Sequence, residues 1–98
     1  MDDYLVKVDP LIAPLVPDYL KNRAADVQKL EAALAARDFA VLRKIGHNIR
    51  GSAGAYGLPP LSEIGARLEE AAVKQDLGAL APAVAAMRQF LLVVRMPA

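Results

Sequence analysis

Residues Asp38–Gly57 read DFAVLRKIGHNIRGSAGAYG, and this stretch decides how the chain folds. Phe39, Leu42, Ile45, Ile49, Ala53 and Tyr56 recur at three-to-four-residue spacing, the apolar stripe of an amphipathic helix. Asp38 stands where an N-cap is wanted, and Gly57 followed by "LPP" supplies the stop. The pattern predicts a helix from Phe39 through about Tyr56. Yet three glycines fall between His47 and Gly57, and each interior helical Gly costs about 1 kcal/mol relative to Ala. The chain's single histidine heads that costly segment.

Helical punctuation continues on both sides. Upstream, Val16, Leu20, Val27, Leu30 and Leu34 form a stripe from about Pro17 to Arg37, with Lys21, Asp26, Lys29 and Glu31 outside it. Pro17 suits a first helical position, and Asp18 suits the positive end of the helix dipole. The first fifteen or so residues form an irregular lead broken by Pro10, Pro14 and Pro17, where Asp9-Pro10 can open one short turn. Downstream, a third helix is predicted from near Pro60 to about Lys74, with Leu61, Ile64, Leu68, Ala71 and Ala72 inward. Asp76 caps a fourth, striped by Leu77, Leu80, Val84, Met87, Leu91 and Val94. Pro82 leaves two starts open there: one near Ala79, or an earlier one whose first turns Pro82 bends. No segment shows the β-branched alternation of a strand. The expectation is an all-α fold, an antiparallel up-down-up-down four-helix bundle behind a short N-terminal lead (1–15 lead, 16–98 bundle, one domain over 1–98).

Composition agrees and narrows the function classes. The chain has 98 residues, suiting one domain, and is 55% hydrophobic with few aromatics and no tryptophan. Twelve Lys+Arg against eleven Asp+Glu leave a formal charge of +1, no field for general nucleic-acid or membrane binding. No cysteine is present, which excludes disulfides and thiolate metal sites, and one histidine cannot build the usual zinc site. "MDDYLVKVDP" does not read as a secretory signal, and "FLLVV" at Phe90–Val94 is far short of the ~20 residues that span a bilayer. A cytoplasmic protein is expected, and a monomer, since four helices complete a bundle without a second chain.

The helical wheel places His47 roughly 150° from the centre of its own helix's apolar stripe, so it faces water rather than the core. Gly51 and Gly54 lie one and two turns on, on the same face, where side chains would otherwise crowd the imidazole. Arg43 and Lys44 lie on the preceding turn and Arg50 on the following one. Glycine lets another backbone approach closely. Neutral imidazole is a nucleophile, neighbouring cations favour that form, and they would stabilise an anion carried on the ring. Exposed histidines and solvated cations are separately commonplace. Their convergence on one face describes a histidine that receives a phosphoryl group from a docked partner.

At these residues the chain resembles the histidine-containing phosphotransfer (HPt) domains of multistep two-component relays. That family's motif is approximately His-x-(Leu/Met)-Lys-Gly, a run of small residues, and Gly ten positions after the His. Here it reads His47-Asn48-Ile49-Arg50-Gly51, then Ser52-Ala53-Gly54-Ala55, then Tyr56-Gly57. "LSEIGARLE" at Leu61–Glu69 resembles the family's third helix, and "ALAARDFAVLRKIGH" its approach to the histidine, so the similarity runs from about Pro17 onward. The resemblance implies a four-helix bundle with His47 as the exposed phospho-acceptor midway along the second helix. It also puts Arg50 in the usual Lys position, has Gly51 keep the face clear, and matches Gly57 to the closing glycine. Arg50 for Lys and Ala53 where Gly or Ser is common are departures. Since a guanidinium prefers bidentate contacts, the first should change partner preference more than competence.

The expected function is a phosphorelay intermediate. It takes a phosphoryl group from a receiver-domain phospho-aspartate onto His47 and passes it to another receiver's aspartate, with Arg50, Gly51, Gly54, Arg43 and Lys44 as the phosphoryl- and partner-binding surface. Expected partners are response-regulator receivers or a hybrid sensor histidine kinase. The resemblance implies no cofactor of the chain's own, with Mg²⁺ on the receiver, so the chain is a carrier rather than an enzyme. The rival reading is a helical adaptor or inhibitor that binds such partners without phosphorylation. A hydrolase is disfavoured, because Ser52 lies about 140° from His47 on the wheel and Glu69 and Glu70 point to different sides. Leu58 and Val41 can each be core or docking rim.

Overall fold

The computed structural model describes residues 4–96. Four helices form the bundle: α1 (Val16–Ala36), α2 (Phe39–Ser52), α3 (Pro59–Val73) and α4 (Leu77–Val93). Each packs on its neighbour in sequence, α1 and α4 close the ring, and the α2–α3 interface is the most extensive. The architecture is the all-α four-helix bundle expected.

The expected caps are in place. Asp38 accepts from Val41 N at 3.2 Å to start α2, and Asp76 accepts from Ala79 N at 3.2 Å to start α4. Each satisfies one amide that a helix's first turn leaves without a partner. The fourth helix therefore begins at Leu77 and carries Pro82 inside it. The long helix expected to reach Tyr56 is shorter: α2 ends at Ser52, and Ala53–Tyr56 form a 3₁₀ turn. Gly57 then takes φ +74°, the left-handed conformation that suits glycine, and closes the turn.

Core positions follow the stripes with shifts of one residue. Leu30, Leu42, Ile49, Leu61, Leu68, Leu80 and Met87 are fully buried, together with Ala53 and Leu58. Leu58 is thus core, whereas Val41 is 37% exposed at the surface. Tyr19, Ala33, Ala83 and Phe90 are buried beyond the expected set, and Leu20 and Leu34 are only partly covered. No charged or polar side chain is buried among the described residues. The core is therefore apolar apart from the hydroxyl of Tyr19, and it leaves the charged side chains to the surface.

The lead is more ordered than expected. Tyr4–Leu5 (β1) pairs in parallel with Val94–Arg95 (β2), and Val6 N extends the ladder to Arg95 O at 2.9 Å. This corrects the expectation of no strand. Two-residue strands are too short to show alternation and exist only through their pairing. Val6 is buried, the Tyr4 and Phe90 rings meet at 5.3 Å, and Tyr4 Oη donates to Gly57 O at 3.4 Å. Asp9 opens a turn by accepting from Leu11 N through its side chain and from Ile12 N and Ala13 N through its carbonyl. A 3₁₀ turn over Ala13–Leu15 follows and leads into α1.

Candidate functional site

His47 lies in the second half of α2, with its side chain 57% exposed, on the face the wheel assigns it. Its Nδ1 is 2.8 Å from Glu69 Oε2, and Arg50 Nε is 2.8 Å from Glu69 Oε1. One carboxylate on α3 thus holds both an imidazole and a guanidinium from α2. Arg50 Nη2 also comes within 3.4 Å of His47 Nδ1. The two contacts at Nδ1 exclude each other, because one ring nitrogen cannot donate and accept through the same position. The shorter one decides: the carboxylate serves as acceptor, so Nδ1 carries the proton and donates to Glu69. Neutral His47 is then the Nδ1–H tautomer, with the lone pair on Nε2. Among the described residues nothing hydrogen-bonds Nε2.

The remaining expected residues divide into those the fold brings to His47 and those it does not. Arg50 joins it through Glu69. Arg43 and Lys44 are exposed on the same helix, and no contact ties either to the imidazole. Lys44 instead lines a shallow groove of about 370 Å³ between α1 and α2, with Arg23, Lys29, Val41 and Asn48 along it. A Cβ built on Gly51 or Gly54 would meet nothing within 4 Å. Both glycines therefore open onto solvent, and neither serves packing inside the chain. A single methyl at either position would not crowd the imidazole: Gly54 lies in the 3₁₀ turn, off the helical phase, and at Gly51 a Cβ would not reach the ring. What these glycines clear is approach from outside.

Ser52 belongs to the scaffold rather than to the chemistry. Its Oγ donates to Asn48 O at 2.8 Å and accepts from Tyr19 Oη at 2.6 Å. The Tyr19 ring stacks on Tyr56 at 4.0 Å, with the Arg23 guanidinium 4.6 Å from the Tyr19 ring centre. This cluster pins the end of α2 to α1, while Ser62 Oγ on α3 donates to Arg50 O at 2.7 Å. Glu70, adjacent to Glu69, pairs with Lys74 at 2.9 Å and raises the lysine's pKa above its ordinary value through that hydrogen bond and charge. The two carboxylates do point to different sides.

Glu69 is the residue sequence reasoning missed. In the sequence it figures only as the end of a motif-like segment and as half of a rejected carboxylate pair. The usable signal was Gly46 opposite Gly65, small residues that permit close approach of α2 and α3.

A family model described as Hpt domain matches residues 15–95, most of the chain and all four helices up to the terminal ladder. The chain belongs to the Hpt domain family. Hpt domains serve histidine phosphotransfer in two-component phosphorelays, as carriers of the group rather than catalysts, interacting with receiver domains and histidine kinases. The comparison with curated proteins found no match, and neither did that with solved structures. No helix among the described residues is long and apolar enough to cross a membrane.

Proposed function

We propose that His47 is the phosphoryl-carrying residue of this Hpt domain, shuttling the group between receiver aspartates. The observation that carries the reading is the division of labour on one exposed ring: Nδ1 is committed to Glu69, while Nε2 has no hydrogen-bond partner among the described residues. In the forward step the Nε2 lone pair forms the N–P bond as the P–O bond to the receiver's aspartate breaks, and that electron pair leaves with the carboxylate. The positive charge developing on the imidazole is met at Nδ1–H by the Glu69 carboxylate, which stays ionised as its counter-ion while the proton remains on Nδ1 of the phosphohistidine. The return step reverses both bonds with a second receiver. Little covalent chemistry is asked of this chain beyond positioning and electrostatics.

Arg50 has its Nε on Glu69, which leaves its terminal nitrogens for phosphoryl oxygens. Arg43 and Lys44 extend the positive surface along α2, and the open backbone at Gly51 and Gly54 lets the receiver's active site come close. Mg²⁺ would belong to the receiver in this reading, supplying charge stabilisation that this chain's own residues do not.

The test is transfer from a labelled phospho-receiver. Acid-labile, base-stable label should appear on the wild type and be absent from His47→Ala. Label persisting on His47→Ala would overturn the assignment. Unlabelled wild type that binds receivers as well as His47→Ala does would identify an adaptor.

A further inference from the structure

Two glycines on α2 and α3 do the opposite of Gly51 and Gly54. Gly46, immediately before His47, is buried, and a Cβ there would lie 2.8 Å from Glu69 N, 2.8 Å from Leu68 Cβ and 2.9 Å from Gly65 O. Gly65 faces it: a Cβ there would lie 2.6 Å from Arg50 N, 2.8 Å from Gly46 O and 3.0 Å from Ile49 Cγ2. Most of these atoms are backbone, so they can yield only if a whole helix moves. The α2–α3 crossing is therefore set at backbone-to-backbone distance, which any larger residue would forbid.

Arg50 is one turn after Gly46, and Glu69 one turn after Gly65. All three polar members of the site thus hang from the turn next to the contact. Relieving the closest clash to ordinary contact means separating the helices by about 0.8 Å, from 2.6 to 3.4 Å. The His47–Glu69 hydrogen bond, now 2.8 Å, would stretch beyond useful range unless the side chains followed.

We propose that the Gly46–Gly65 contact is the positioning device of the site, bringing Glu69 to His47 Nδ1 and so deciding which imidazole nitrogen carries the proton. The consequence for phosphotransfer rests on His47 being the acceptor; the tautomer itself does not. Free imidazole side chains in water prefer the opposite, Nε2–H form, which blocks the attacking nitrogen. The crossing therefore works against the ring's own preference.

The experiment is long-range ¹H–¹⁵N NMR of the His47 ring in its neutral state, which reads the tautomer directly without any partner. Wild type should show Nδ1–H. Gly65→Ala and Gly46→Ala should shift the ring towards Nε2–H, whereas Gly78→Ala, where a Cβ makes only a 3.4 Å contact, should not. Glu69→Asp withdraws the carboxylate by one methylene on an unaltered crossing and should shift the tautomer likewise, so a glycine variant that fails to fold still leaves a decisive result. Labelling by phospho-receiver should fall about tenfold in each shifted variant. A folded Gly65→Ala or Glu69→Asp protein that keeps Nδ1–H would overturn the proposal. Shifted tautomers in a protein that no receiver labels would spare the positioning device and refute the acceptor role.

Discussion

Replacing Glu69 by Ala separates what that carboxylate does for the fold from what it does for the site. It makes two 2.8 Å contacts, to side chains 57% and 50% exposed, while Glu69 itself is 20% exposed. An ion pair to Arg50 and a hydrogen bond from neutral His47 at this exposure are together worth about 1 kcal/mol, which Glu69→Ala should cost in stability. For a domain of this size that is a fall in Tm of roughly 4–8 °C. The effect on transfer should be larger. Without an acceptor on Nδ1 the ring reverts towards the Nε2–H form, and the charge developing on phosphorylation loses its counter-ion. A tenfold loss corresponds to about 1.4 kcal/mol, and the two effects together should lower the rate about 10–100-fold. The assay pairs a thermal melt with single-turnover transfer from a labelled phospho-receiver, run well below the melting transition. Wild-type transfer in a protein that melts a few degrees early would refute the reasoning, because Glu69 would then be a surface ion pair and nothing more.

Leu42 is fully buried in the first turn of α2, and Leu42→Ala should cost about 2–5 kcal/mol in chemical denaturation, through lost burial and the cavity left behind. Gly51 faces open space in the last turn of α2, so Gly51→Ala should raise stability by up to about 1 kcal/mol in the same measurement. Gly51→Gln should transfer more slowly despite intact folding, because its side chain occupies the surface a receiver must approach.

Features written into local sequence were legible, and those that depend on how two elements meet were not. The stripes of Leu42/Ile49 and Leu61/Leu68, the caps at Asp38 and Asp76 and the outward phase of His47 all follow from spacing within one helix. Glu69 depends on the rotation and register of α3 against α2. Glu70 finds Lys74 four residues on in its own helix, a pair that spacing shows, whereas the partner of Glu69 is on another helix and no local spacing points to it. Tyr19 escaped for a similar reason. Its burial follows from stacking on Tyr56 and donating to Ser52, both beyond α1. The β1–β2 ladder joins residues about ninety positions apart and has no periodicity to read.

The glycines bring these two kinds of information together. Each weakens the helix that holds it by a similar amount, and sequence alone gives all of them the same weight. Structure divides them by what an added methyl would touch: helix backbone at Gly46 and Gly65, open space at Gly51 and Gly54. The inward pair determines how near α3 stands to α2, and hence whether one carboxylate reaches the imidazole. In the proposed carrier role, the outward pair sets how near a receiver can stand to the imidazole's far nitrogen. Ala at an outward position should stabilise the chain, whereas Ala at an inward one must push α2 and α3 apart before it gains anything. The sign of the stability change, read beside the His47 tautomer, therefore assigns each glycine to the ring's inner or outer nitrogen.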